Sequence, residues 1–521
     1  MSYKATLAPA VEDIDWPQIT QAQAEQMKGL KCLVLSHHSF TTCGMGALAL
    51  NWVEWYTVFM QKYAVEIHLA SPKMPEGERS VVEEQQQERE WYDNLITVDG
   101  WDDDDMALNI ANAVKETGIK MDGVFTHTEN LQTVLGQVCE YLGIKQNPAL
   151  AFQKARDKYK TREALHEAGL AAPKMALLSK REDITEIMAK IDYPVIIKPV
   201  SGAGSKGVYK AFDEAELYES VDRALEEVGG TGEAVLTYTP GVTSDAPIMI
   251  EELLIAKDFE GLPIGEFDID IVVWDNECTY ARVTDNWKPT PPYFLENGCN
   301  SPSVTSEAVQ RELIDYCMKV IKALGFFKGV FHTECMYTES HGPVLLECNP
   351  RVGGGPIRYF NNQLYGVELL AEFLMTNMNV PVKPIVKNSG EGAVTYFLCC
   401  PKTGKLLDGN YMDKVAASPG VKSATAWLKG GEMVMGYDTQ VPIWIGEIVM
   451  HCPVDEIKDC VRRMEEMAAL ATESVNVDLT PEDEVVVEPT RNRSSIMVRR
   501  SSAMIMPYQI DEEQMPGLGD G

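Results

Sequence analysis

In the segment HTECMYTESHGPVLLECNPR, residues 332–351, acids and apolar residues recur in step. Glu334 and Glu347 fall on the two arms of a hairpin whose turn is ESHG, and residues placed this way across one turn can share a sheet face. Asn349, two positions beyond Glu347, takes the same face, and Arg351 continues the parity. Two carboxylates and an amide oxygen aimed at one point form a hard oxygen site suited to Mg2+ or Mn2+. An arginine beside them suits a phosphoryl group in transfer or an anionic intermediate. A solvent face decorated with acids is the alternative, and it accounts poorly for the apolar residues at every other position.

A second candidate follows a strand that ends near Lys198. Ser201, Gly202, Ala203, Gly204, Ser205, Lys206 and Gly207 form a glycine-rich loop that could cradle phosphates with backbone N–H groups and one ammonium. A tight surface turn reads equally well. The loop is neither a GxxxxGK[ST] string nor a GxGxxG string. A third group, His37, His38, Thr41, Thr42 and Cys43, follows the first strand, where open α/β sheets bind ligands; histidines there are also common as structural residues. Gly353, Gly354 and Gly355 come just after Arg351. They either bring backbone close to a roomy pocket or relieve crowding at a turn.

The elements that must hold these residues can be read along the chain. Buried strands are expected at 31–36, 64–70, 94–98 and 123–127, with helices at 47–59, 106–117 and 128–141 between them, so residues 29–145 read as an open parallel α/β domain. A single helix over 151–168 carries Lys158 and stops at Gly169. Strands follow at 193–200, 247–254 and 266–276, the last with period-two alternation at Phe267, Ile269 and Ile271. A helix spans 213–228, and another, 306–324, leads into the hairpin. From 390 the pattern turns to short strands and a helix over 454–470, a small α+β unit. Residues 1–28 read as a leader with a short helix within 16–27. Residues 473–521 read as a partly flexible extension, in which RNRSS and RRSSA place serines just after arginines.

Length and charge bound the function. A chain of 521 residues exceeds what one core usually supports, so several domains are expected. The net charge of −32 disfavours nucleic acid and anionic membrane as partners. Residues 1–26 lack an apolar core, and no apolar stretch of about 18 residues occurs, so neither a secretory signal nor a membrane span is expected. The 12 cysteines are scattered without a CxxC, which reads as reduced thiols in a cytoplasmic protein.

Taken together, Lys158 within RDKYKTREALHEAGL, Lys198 within YPVIIKPVSGAGSKGV, IEELL at 250–254, Glu334, and ECNPR at 347–351 resemble the ATP-grasp ligases in order and spacing. The resemblance runs over about residues 30–470. The segments FHTE and FLENGCNSPS narrow it toward the amino-acid ligases that make dipeptides, including the bacilysin-type ligases and carnosine synthases. It implies a multidomain α/β and α+β protein: an ATP-grasp fold over 146–389 with a lid at about 185–255, the parallel α/β domain of 29–145 before it, and a closing α+β domain at 390–472. It implies ATP and Mg2+ or Mn2+ as cofactors, small-molecule carboxylate and amine substrates, and a homodimer. Lys158 and Lys198 would contact ATP, with Lys198 and Arg351 catalytic. Ser201 to Gly207 would close over the phosphates. Glu251, Glu252 and Leu254 would belong to the hinge strand that reads adenine and ribose. Glu334, Glu347 and Asn349 would hold the metal. Glu296 would face the amine, and His37, His38, Thr42 and Gly353 to Gly355 would touch substrate. The implied reaction turns a carboxylate into an acyl phosphate and couples it to an amine, releasing ADP and phosphate. The alternatives are a carboxylase or phosphoribosylamine-type ligase on the same scaffold, and an ATP-binding regulatory protein without catalysis.

Overall fold

A computed structural model of the chain describes residues 17, 19–35, 52–73, 92–200, 207–229, 248–259, 261–290, 295–438 and 442–478. Strands β1 (Lys31–Leu35), β2 (Glu66–Pro72), β3 (Asn94–Val98) and β4 (Gly123–Phe125) form an all-parallel sheet in the order β3-β2-β1-β4. Apart from their first residues, β1 and β2 are buried throughout, as strands covered on both faces must be. Helices Trp52–Lys62, Met106–Glu116 and Gln132–Leu142 alternate with the strands. The end of the expected leader packs on this body. Thr20 and Gln23 form a capping box at the start of helix Gln21–Met27, and Gln23 Nε2 donates to the Pro381 carbonyl at 2.8 Å.

The single helix expected over 151–168 is two helices, Ala149–Arg156 and Lys158–Glu167. Asp157 between them is extended, with φ −96° and ψ 108°, and its carboxylate accepts from the Lys160 N–H at 3.0 Å. An acid able to cap a new helix competes with continuing the old one. The break frees the Lys158 N–H, which donates to the Val200 carbonyl at 2.9 Å. One backbone bond thus ties the start of this helix to the chain just beyond the strand that carries Lys198.

That strand belongs to a second, antiparallel sheet with its own core. It comprises β5 (Met175–Leu178), β6 (Val195–Pro199), β7 (Tyr209–Ala211) and β8 (Ile248–Glu252), in the order β5-β8-β6-β7. Leu178, Val195, Ile197, Leu217, Val221 and Ile250 pack beneath it.

The largest sheet has eight antiparallel strands in the order β13-β12-β9-β10-β11-β14-β18-β16. They are β9 (Ile264–Trp274), β10 (Glu277–Trp287), β11 (Gly298–Ser301), β12 (Gly329–Thr338), β13 (Gly342–Asn349), β14 (Glu391–Cys399), β16 (Val421–Ala426) and β18 (Trp444–Pro453). The last three lie in the segment read as a small closing unit, and they continue this sheet through the β11–β14 pairing. A small sheet of β15 (Gly404–Leu406), β17 (Met433–Val434) and β19 (Val477–Asp478) stands beside them. Phe267, Ile269, Ile271 and Val273 face one core, shared with Leu313, Cys317 and Ile321 of helix Glu307–Leu324. Strand alternation therefore turns Glu266, Asp268 and Asp270 to the opposite face.

Among the described residues no helix is long and apolar enough to cross a membrane, and the 11 described cysteines are free. Residues 37–43 with their His, Thr and Cys candidates, loop residues Ser201 to Lys206, and residues 479–521 with both arginine–serine strings lie outside the described residues.

Candidate functional site

Register brings the acids into line. Glu347 on β13 stands directly opposite Glu334 on β12, and Glu334 is opposite Asp268 on β9. Asn349 is opposite His332, which is opposite Asp270. The hairpin expectation for Glu334, Glu347 and Asn349 thus matches the sheet, with one irregularity just beyond, where the register shifts between Glu334 and Cys335. Asn349 Nδ2 reaches Glu334 Oε1 at 3.5 Å, and Lys158 Nζ donates to Glu347 Oε1 at 3.0 Å. Burial raises the Glu334 pKa well above the ordinary carboxylate range, and the facing Glu347 carboxylate adds to it. Two carboxylates that repel each other in a half-dry setting are a place where a divalent cation gains most. Among the described residues no three His, Cys, Asp or Glu side chains form a metal-binding group. Glu334, Glu347 and Asn349 fit a magnesium ion that takes its other oxygens from phosphates and water, the usual mode for that ion.

His332 sits inside this acidic face. Its Nδ1 lies 3.0 Å from Asp270 Oδ1, and its Nε2 lies 3.7 Å from Glu334 and 4.0 Å from Asp268. Burial would lower its pKa, but Asp268, Asp270 and Glu334 outweigh burial and raise it to about 9. Asp270 is secured further by Asn361 Nδ2 at 3.2 Å, whose own Oδ1 accepts from Tyr280 at 2.5 Å. Glu296, the expected amine contact, shares a hydrogen bond with Glu266, and Asn286 Nδ2 donates to Glu266 at 3.1 Å.

Lys198 is buried and its ammonium pairs with Glu251. Burial lowers the Lys198 pKa to about 8, against the pull of Glu251. Arg162, wholly buried, donates from Nε to the other Glu251 oxygen at 3.2 Å and from Nη2 to the Leu346 carbonyl at 2.9 Å. Burial would raise the Glu251 pKa, but Arg162 and Lys198 lower it. Both Glu251 oxygens are committed to cations, so Glu251 positions Lys198. Glu252 ends β8, its N–H bonded to the Lys174 carbonyl at 2.9 Å, and Leu254 follows, half-buried. Gly207 re-enters the described chain buried and with φ +72°.

Arg351 is near the carboxylate pair for a different reason than parity. Strand β13 stops at Asn349, and the Arg351 N–H turns back to the Asn349 carbonyl at 2.8 Å. Proline at 350 has no N–H to extend the ladder. The guanidinium is held instead by Glu129, at 2.5 Å from Nη2, while Nη1 donates to the Val352 carbonyl at 3.1 Å. Glu129 also pairs with Arg156. Burial would raise the Glu129 pKa, but Arg351 and Arg156 bring it down to about 2. Burial works against the Arg351 charge, and Glu129, Glu334 and Glu347 more than restore it.

The three glycines differ. A Cβ on Gly353 would lie 2.5 Å from His332 Nδ1 and 2.8 Å from Ile357 Cγ2, whereas one on Gly354 would meet nothing within 4 Å. Gly355 has φ +58° and turns the chain into helix Ile357–Tyr365. Arg162, Glu129, His332, Asp268 and Asp270 were not among the expected site residues. The acids of EFDIDIVV alternate with the apolar residues that were noticed, so Asp268 and Asp270 had a signal; Glu129 is 222 positions from Arg351 and had none.

A family model of the ATP-grasp domain matches residues 191–358, which contain Lys198, Glu251, the acidic face and Arg351. The matched segment is similar to an ATP-grasp domain. The chain is 26% identical over 281 residues to carnosine synthase 1 of Homo sapiens, covering 52% of the chain and 32% of that relative. It is 25% identical over 254 residues to the alanine–anticapsin ligase of Bacillus subtilis (strain 168), covering 48% of the chain and 52% of the relative. The chain therefore spans about a third to a half of the length of these two relatives. An L-amino acid ligase from Bacillus licheniformis shares the fold, with a TM-score of 0.59 at 17% identity over 87% of this chain and 100% of that one. A phosphoribosylglycinamide synthetase from Anaerococcus prevotii does so with a TM-score of 0.53 at 16% identity.

Proposed function

We propose that the chain is an ATP-dependent carboxylate–amine ligase that converts a carboxylate to an acyl phosphate and couples it to an amine, an amino acid, releasing ADP and phosphate. The observation that carries this reading is the opposed Glu334–Glu347 pair, with Asn349 beside it and Lys158 and Arg351 at its edge. The names of its relatives, a carnosine synthase and an alanine–anticapsin ligase, support the choice of substrate class.

Glu334, Glu347 and Asn349 would hold Mg2+ or Mn2+, which would offset the charge of a triphosphate beside two acids. Lys158 and Lys198 would bind phosphate oxygens. Lys198, held by Glu251 and backed by Arg162, keeps a fixed position without a flexible search. Arg351, preset by Glu129, can donate to an oxygen whose negative charge grows as the phosphoryl group moves. Its two-pronged donor set also suits the acyl phosphate. The acidic face of Glu266, Asp268, Glu296 and Glu334 attracts an incoming ammonium, and a carboxylate there can take the proton that the amine must lose before it attacks.

The test is phosphate release from ATP with amino acids supplied singly and in pairs, followed by mass analysis of products. A dipeptide formed with one phosphate per bond is expected. Release that depends on bicarbonate, or ATP binding with no product from any pair, would overturn the reading.

A further inference from the structure

The acidic face does not end at Glu296. Asn286 on β10 is opposite both Glu266 and Cys299, Cys299 on β11 is opposite Thr395 on β14, and the neighbouring Phe397 on β14 is opposite Glu447 on β18. Glu447 therefore lies on the same face as Glu334 and Asp268, at the far end of a stripe that crosses the sheet. Its nearness to the stripe shows in Cys299, whose thiol feels Asp268, Glu296 and Glu447 together.

Glu447 is 6% exposed. Most other acids of the stripe have a close partner, while Asp268, whose Oδ1 is buried without a hydrogen bond, lies 4.0 Å from His332 Nε2. Glu347 has Lys158, Asp270 has His332 and Asn361, Glu334 has Asn349, and Glu266 has Asn286 and Glu296. The Glu447 carboxyl has no hydrogen bond or ion pair with any described residue, and burial alone raises its pKa to about 7. Thr395 Oγ1, on the adjoining strand and the same face, is likewise buried without a hydrogen-bond partner. Tyr359 is close enough to feel Glu447, but its hydroxyl is already engaged by His451 Nε2 at 2.8 Å and by Lys422. A carboxylate taken out of water without a partner is costly, and a cation brought to it recovers that cost.

We propose that Glu447, with Thr395, is the distal subsite for the amine substrate, and that this amine carries a second, cationic group, as in a basic amino acid or a short polyamine. The proposal rests on the ligase reading. Strands stand about 4.8 Å apart, so β11, which Glu296 precedes, is two strand steps or roughly 10 Å from β18, while Glu266 on β9 is two steps further away. An amine whose reacting nitrogen lies beside Glu296 would extend its other charge along the stripe toward Glu447.

The experiment compares L-lysine, L-ornithine and putrescine with norleucine and butylamine, whose far end is neutral because it lacks the second amino group, as amine substrates, each with ATP and a panel of amino-acid carboxylates. The cationic amines are expected to have a KM at least 10-fold below their neutral counterparts. Glu447→Gln, nearly isosteric, should remove that advantage and leave kcat with the neutral amines within two-fold. Equal KM values in the parent, or a preference that survives Glu447→Gln, would overturn the subsite while leaving the ligase reading intact. Calorimetric titration of lysine and ornithine, with a non-hydrolysable ATP analogue present, separates the two ideas in the absence of turnover. Binding lost in Glu447→Gln supports the subsite even if no pair is ligated, an outcome that would sink the ligase reading alone. Binding that is absent or unchanged overturns the subsite.

Discussion

At the scale of single residues, charge pairing decides what each group can do. Glu347→Gln keeps the shape of the carboxylate pair and removes one charge. Ligation should fall at least 100-fold with little change in the melting temperature, and excess chelator should abolish activity in the parent. Arg351 is harder to test by deletion. Arg351→Ala would leave buried Glu129 with Arg156 alone, and breaking a buried ion pair costs about 3–5 kcal/mol. Arg351→Lys with Glu129→Gln as a companion is the cleaner pair. Arg351→Lys should bind ATP within a few-fold of the parent by calorimetry and lose on the order of 100-fold in product formation, because a point charge cannot reproduce the two-pronged donor set. Ligation unchanged in Arg351→Lys would reduce the arginine to a structural partner of Glu129. Glu129 also makes a pH prediction. Its folded pKa, about 2, lies below the usual 4.5, so its contribution to stability is complete above about pH 4.5 and is lost as pH falls toward 2. Glu129→Gln should lose stability at neutral pH and approach the parent in acid, as read by denaturant unfolding across that range.

At the scale of elements, the site depends on where helices and strands stop. The break at Asp157 sets Lys158 at a helix start, bonded to Val200. The end of β13 at Asn349 lets residues 350–356 turn across His332 toward the next helix. Gly353 is where that turn touches the sheet. Gly353→Ala should destabilise the protein by about 1–3 kcal/mol, since overpacking forces His332 or Ile357 to shift, and should slow ligation by disturbing His332. Gly354→Ala, with open space around its added methyl, should be close to neutral in both measurements. Equal effects from the two would mean that the turn is free to move and does not set His332.

At the scale of the whole molecule, three sheets meet around one set of charges. Lys198 and Glu251 come from the small antiparallel sheet, Glu334 and Glu347 from the large one, and Glu129 from the segment after β4 of the parallel sheet. Arg162 links two of these, reaching Glu251 on β8 and the Leu346 carbonyl on β13. Such links would couple ligand binding to overall stability, because the residues proposed to contact ATP come from more than one sheet. A non-hydrolysable ATP analogue with Mg2+ at about 100 times its Kd should add about 2.7 kcal/mol of unfolding free energy, and the analogue without the metal much less. We also propose a homodimer, from family resemblance; a monomer mass by light scattering at micromolar concentration would refute it.

The sequence by itself determined the alternations and the local turns. The four parallel strands, the hairpin with Glu334 facing Glu347, and the apolar side of β9 were legible because period, turn chemistry and spacing act over a few residues. It also carried the family pattern on which Lys158, Lys198 and Arg351 were chosen. Tertiary structure alone decided the rest. Arg351 depends on Glu129, Lys198 on Glu251 with Arg162, and Asp270 on Asn361, and each of these partners is brought in by sheet order or helix packing across tens to hundreds of positions. The same holds for Glu447, whose place on the acidic face follows from β14 and β18 continuing the large sheet through β11. Local pattern specifies which way a side chain points within its own strand. Only the order of strands specifies which charges it will meet there, and in a buried site those neighbours set its protonation and its chemistry.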